Sequence, residues 1–212
     1  MRRLPVYLVL DTSGSMHGEP IVAVQIGMQM LLNALRQDPY ALETAFLSVI
    51  TFDEYAKQIV PLTEIANFNI PDLKLGTTTS LGAALRLLAE RVDAEVVKTT
   101  AETKGDWKPM VFIMTDGRPT DDWQKGLDEY IKRKFGVVVA CAAGPNADSQ
   151  SLKQITPNVI ALDVADTNSL QAFFKWVSSS ISTNSQKVES AGKEITGLDE
   201  LPPPPKEIQI VV

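Results

Sequence analysis

Short, unbroken apolar runs alternating with amphipathic stretches of helical period restrict the fold of this chain more than any other feature. Runs at residues 4–10, 45–52, 110–114, 136–142 and 159–162 are each closed by turn residues and read as strands buried on both faces. Between them, Val24, Met28, Leu31, Leu32 and Leu35 recur at helical spacing after Pro20, a good first-turn residue; Leu81, Ala84, Leu85, Leu88 and Val92 make a second stripe. Trp123, Leu127, Tyr130 and Ile131 form a third, and Leu170, Phe173, Phe174, Val177 and Ile181 a fourth. Strands alternating with helices predict an α/β fold, doubly wound, with helices on both faces of a mostly parallel sheet. One segment breaks the rhythm: the chain turns at Asp53 and Glu54 and resumes at residues 56–62, too soon for a crossover helix. That predicts a hairpin and one antiparallel edge strand, giving a six-stranded sheet.

The pattern fades near Thr183. Residues 1–182 read as one domain, and residues 183–212, rich in Ser, Gly and charge with four prolines at 202–205, read as an extended tail. The apolar, β-prone IQIVV at its end either adds to a sheet edge, in cis or in trans, or stays mobile. With 212 residues, 44% hydrophobic and 22% charged, the chain can build a sizeable core. Its 20 Lys and Arg against 26 Asp and Glu leave a net charge of −6, which argues against binding nucleic acid or anionic membranes. The first apolar run meets Asp11 too early for a secretion signal, and no later segment approaches the roughly 20 apolar residues of a membrane span. A cytoplasmic protein is expected. Cys141, inside VVVACAAG, is the single cysteine and reads as a buried, inert thiol.

Open α/β sheets bind ligands beyond the carboxyl ends of their strands, and polar residues gather at three such places. In VYLVLDTSGSMHGEP, Asp11, Ser13 and Ser15 follow the first strand directly; Asp116 follows the third run in TDGRPTD; and the threonines of KLGTTTSLGAAL precede the helix that starts near Leu81. A phosphate cradle would want more glycine, and a nucleophilic serine a basic partner. Two carboxylates and three hydroxyls instead make a hard oxygen set that suits Mg2+ with retained water, with Mn2+ accepted by the same oxygens and Ca2+ the larger alternative. His17 is the only histidine and reads as an exposed loop residue that, with Met16, lines the rim. Asp121 reads as a helix cap or first-turn acid, Trp123 as a core residue, and Trp107, in a polar loop, as core or partner contact.

DTSGSM, GTTTSLGAAL and MTDGRPTD together resemble the von Willebrand factor A (VWA) domain and its metal-ion-dependent adhesion site (MIDAS), a pattern of Asp-x-Ser-x-Ser with a distant Thr and a distant Asp. The resemblance spans residues 4–181 and implies a Rossmann-like fold. It assigns Asp11, Ser13, Ser15 and Asp116 as metal ligands, and Thr79 by alignment of Thr77 to Gly82 with the family's Gly-Gly-Thr-x-Leu-Gly, although Thr77 and Thr78 stand at the usual glycine positions. GRPTDDW and the Pro-rich end are similar to bacterial TerY-type proteins of tellurite resistance and stress response. What this implies is a non-catalytic, Mg2+-dependent module that binds a protein partner through an Asp or Glu completing the metal coordination. The rival is a Mg2+-dependent phosphohydrolase using Asp11 as nucleophile, but it would want a second acid where Ser13 stands, and a general base. Dinucleotide binding lacks its G-x-G-x-x-G after the first strand.

Overall fold

The computed structural model describes residues 2–211; Met1 and Val212, at the outer limits of the expected domain and tail, lie outside the described residues. Seven strands form one sheet: β1 (Leu4–Asp11), β2 (Ala45–Phe52), β3 (Ala56–Glu64), β4 (Met110–Thr115), β5 (Val138–Ala143), β6 (Val159–Leu162) and β7 (Gln209–Ile210). Their order is β3-β2-β1-β4-β5-β6-β7. The five central strands are parallel, while β3 pairs antiparallel with β2 and β7 antiparallel with β6. Strand order reverses between β1 and β4, so the crest above their carboxyl ends is the topological switch point.

The helices are α1 (Glu19–Gln37), α2 (Pro39–Thr44), α3 (Leu81–Glu95), α4 (Trp123–Tyr130), α5 (Ser149–Ile155) and α6 (Thr167–Ala191). Alternation along β1 divides the core: Leu8 and Leu10 join α1 and α6 through Met28, Leu31, Phe173 and Val177, whereas Tyr7 and Val9 join α3 and α4 through Leu85, Leu88 and Leu127. Gly27 lets α1 lie close on α6, since a Cβ there would stand 2.3 Å from the Phe174 ring. Among the described residues no helix is long and apolar enough to cross a membrane.

Two expectations are corrected. The sheet has seven strands rather than six, and a second antiparallel edge. The boundary after residue 182 falls inside α6, which continues to Ala191 and stops at Gly192, held in the left-handed region at φ 61°. The apolar stripe fades there because the buried face turns polar: Asn184 and Ser185 are buried, and the Asn184 side-chain oxygen accepts from the Ile195 N–H at 2.9 Å. Beyond Gly192 the chain returns to the core, burying Ile195, Leu201 and Ile208, and the Trp176 indole N–H donates to the Pro202 carbonyl at 2.8 Å. Ile160 pairs with Ile210 and Ala161 with Gln209, so the apolar end adds to the sheet in cis.

Candidate metal centre

At the end of β1, Asp11 is fully buried and Ser13 nearly so. The chain turns there because one Asp11 carboxylate oxygen accepts from the Ser13 N–H at 2.8 Å, an Asx-type turn that leads into a 3-10 turn at Gly14–Met16. Its other oxygen accepts from the Thr115 hydroxyl at 2.5 Å, across the β1–β4 pairing that puts Leu10 beside Met114. Ser13 Oγ and Ser15 Oγ share a hydrogen bond at 3.0 Å, and the Ser15 hydroxyl donates to Asp116 Oδ1 at 2.7 Å. Residues 101 positions apart in sequence are thus linked through one chain of oxygens.

Thr79 is tied by its backbone to the loop that follows Asp116. Its N–H donates to Thr120 Oγ1 at 3.0 Å and its carbonyl accepts from the Thr120 N–H at 2.9 Å, fastening the approach to α3 onto the loop after β4. The Thr79 hydroxyl lies against Gly117, where a Cβ would stand 3.4 Å from Oγ1. Asp121 caps α3 rather than α4: its carboxylate accepts from the N–H groups of Gly82 and Ala83 at 3.1 and 2.9 Å. The Gly76 N–H donates to the Thr12 carbonyl at 2.8 Å and the Ser80 N–H to the Asp53 carbonyl at 2.9 Å, tying the same loop to the ends of β1 and β2.

The structure links Asp11 to Ser13, and Ser13 through Ser15 to Asp116, by hydrogen bonds, and sets the Thr79 hydroxyl beside Gly117, the residue after Asp116. It corrects Met16, which is fully buried in the core and not on the rim; His17 is exposed. Thr115 was not foreseen, although a threonine just before Asp116 and opposite the end of the first strand was its signal. Burial pushes the Asp11 carboxyl above the usual carboxylate range; the bonds from Ser13 and Thr115 oppose the rise, and the Asp116 charge adds to it. Burial likewise pushes Asp116 up, against the Ser15 hydroxyl. A nearby cation would relieve both effects, and the donors are all hard oxygens. Among the described residues no group of three or more His, Cys, Asp or Glu is placed to hold a metal, so any site here needs the hydroxyls beside its two acids.

Residues 6–176 match the von Willebrand factor type A domain. An uncharacterised protein of Synechocystis sp., sll0103, is 32% identical over 129 residues, covering 55% of this chain and 26% of that protein. The pilus adhesin SpaC of Lactobacillus rhamnosus GG superposes with a TM-score of 0.68 at 16% identity, over 87% of this chain and 31% of SpaC. Proximal thread matrix protein 1 of the mussel byssus, solved with a zinc-occupied MIDAS motif, superposes at 0.62 and 18% identity, over 84% of this chain and 48% of its own. The chain spans well under two thirds of each of these relatives. The two solved structures show likeness of fold; the match over residues 6–176 shows the family. This chain belongs to the von Willebrand factor type A domain family.

Proposed function

We propose that Asp11, Ser13, Ser15, Thr79 and Asp116 hold a divalent cation, Mg2+ by the hardness of the donors, and that the crest serves as a non-catalytic docking point for an Asp or Glu of a protein partner. The observation that carries this reading is the hydrogen-bonded chain that runs from the Asp11 carboxylate to the Ser13 N–H, and from the Ser13 hydroxyl through the Ser15 hydroxyl to Asp116, at the switch point of the sheet. When bound, the cation supplies a positive charge that an acidic side chain can meet. The protein's own part is positional: Thr115 and the Ser13 N–H fix Asp11, while exposed Ser15 and half-buried Asp116 face the approach. Two acids balance one divalent ion, so an incoming carboxylate is not repelled by excess negative charge.

A phosphohydrolase finds less support. Both Asp11 oxygens are engaged in hydrogen bonds, Ser13 stands where a second acid would be wanted, and exposed His17 makes no side-chain hydrogen bond among the described residues. A zinc-occupied MIDAS motif in one relative and the name pilus adhesin of another accord with a metal-dependent binding role. The finer placement, a cytoplasmic bacterial complex of tellurite resistance or stress response, rests on the resemblance of GRPTDDW and the Pro-rich segment to TerY-type proteins.

The test is partner capture and affinity with Mg2+, with chelator, and with Ser13→Ala plus Ser15→Ala. Losing a desolvated ionic contact costs a few kcal/mol, so affinity should fall about 100-fold in either condition. Unchanged affinity in chelator refutes metal docking. Metal-dependent phosphoester turnover that Asp11→Asn abolishes would make the protein an enzyme.

A further inference from the structure

The end of the sheet away from the crest carries a cleft of about 670 Å3 between the C-terminal ends of α3 and α4 and the loop at residues 96–109. Val96, half-exposed Val97 and Trp107 make its apolar part. Its charged lining comprises five cations and three acids, a positive balance in a chain whose net charge is −6.

The three acids are already occupied. Asp106 pairs with Arg3 at 2.6 Å, Asp93 with Arg133 at 2.8 Å, and Glu129 with Lys132 at 2.7 Å and Arg133 at 3.1 Å. Lys108 turns outward to Glu194 at 2.9 Å. Two cations are left open to a ligand: Lys134, which has no ion pair among the described residues, and Lys98, its side chain 77% exposed, which pairs at 3.5 Å with an Asp93 that Arg133 also holds at 2.8 Å. Cations at helix C-termini are ordinary complements to the helix dipole, and that accounts for Arg133, which donates to the Glu129 carbonyl at 2.5 Å. Lys98 and Lys134, likewise beyond the last turns of α3 and α4, donate to no helix carbonyl among the described residues and receive no such explanation.

The wall of the cleft is also more firmly built than a polar 14-residue connection requires. Arg2 lies 3.5 Å over the Trp107 ring and donates to the Gly105 carbonyl at 2.7 Å. Arg3 forks onto Asp106 and donates to the Glu95 carbonyl at 2.7 Å, while the Trp107 N–H returns to the Arg3 carbonyl at 2.9 Å. A wall held in place before binding lowers the ordering cost of association.

We propose that this cleft docks a short acidic segment of a protein partner, with an apolar side chain against Val96, Val97 and Trp107 and carboxylates at Lys98 and Lys134. The apolar part calls for a side chain that a polyphosphate lacks, which favours a peptide over a nucleic-acid backbone. Binding here needs no metal, so the molecule has two docking poles that operate independently: the proposed metal crest and this basic cleft.

The test selects a phage-displayed random dodecapeptide library on the full chain in chelator, then measures one selected synthetic peptide by fluorescence anisotropy. Selected sequences should be rich in Asp and Glu around an apolar residue. Affinity should fall about tenfold or more with Lys98→Glu plus Lys134→Glu, weaken with salt, and stay unchanged with Asp11→Ala. Both lysines are exposed, and an unchanged melting temperature certifies that the double variant is folded. The proposal is overturned if no acidic sequences emerge, if the double charge reversal leaves affinity intact, or if a thymidine 20-mer binds more tightly than the peptide. None of these results bears on the crest, whose own test varies the metal.

Discussion

Asp11→Asn separates what the carboxylate does for the fold from what it does for a cation. Asn keeps the oxygen that accepts from the Ser13 N–H, and its amide N–H can donate to Thr115 Oγ1, which reverses its present role. Two charge-assisted hydrogen bonds become neutral ones, a loss of about 2–3 kcal/mol together, whereas holding a carboxylate in a fully buried position costs several kcal/mol. Without a cation the variant should be more stable at pH 7 by about 1–2 kcal/mol, or roughly 2–8 °C in melting temperature for a chain of this size. The pH dependence has a definite sign. Burial raises Asp11 above its unfolded value, so folding takes up protons between the two values. Stability is whole below the unfolded value of about 3.9 and falls as pH rises through the folded one, so the advantage of Asn should vanish below about pH 4. Saturating Mg2+ at about 100 times its dissociation constant should stabilise the parent by about 2.7 kcal/mol and the variant hardly at all, reversing their order. Thermal unfolding followed by circular dichroism, with chelator and with Mg2+, reads all of this. A variant that melts below the parent in chelator at pH 7 would refute the reasoning, because the carboxylate would then be stabilising the fold by itself.

Charge should also rank the other proposed ligands. Asp11→Ala and Asp116→Ala are expected to weaken Mg2+ binding more than Thr79→Ala in calorimetric titration, and equal losses at all three would show that charge does not order them. Ile208, only 5% exposed, should cost about 2–4 kcal/mol when changed to Ser while Mg2+ affinity stays unchanged; a loss below about 0.5 kcal/mol in urea unfolding would detach residues 201–211 from the core.

Most of the sheet is legible in the sequence because strands buried on both faces leave unbroken apolar runs, as at Met110–Thr115. Elements too short to show a period are not. Helix α2 has six residues and α5 seven; each starts from an aspartate, Asp38 or Asp148, whose carboxylate accepts from two backbone N–H groups. Strand β7 has two residues and takes its place from Ile208 and Leu201, which are buried by contacts distant in sequence. The end of α6 is hidden because Asn184 earns its burial through Ile195, a partner that periodicity cannot reveal. At the crest, Asp11, Ser13 and Ser15 are adjacent and readable as a unit. The role of Thr115 depends on the β1–β4 register, and the mutual bonds of Thr79 and Thr120 depend on how two loops meet.

Both edges of the sheet are antiparallel, and this bears on how the molecule behaves when crowded. An open edge is a template on which a neighbour's strand can polymerise, since its row of free N–H and C=O groups invites pairing. Here one edge, β3, carries Pro61, which has no N–H to offer, and its pairing with β2 shifts register between Leu47 and Val49 and again between Val49 and Ile50. The other edge, β7, is two residues long. An approaching strand finds an interrupted ladder on one side and almost none on the other. Many copies can therefore be gathered at high local concentration without their sheets fusing into fibres.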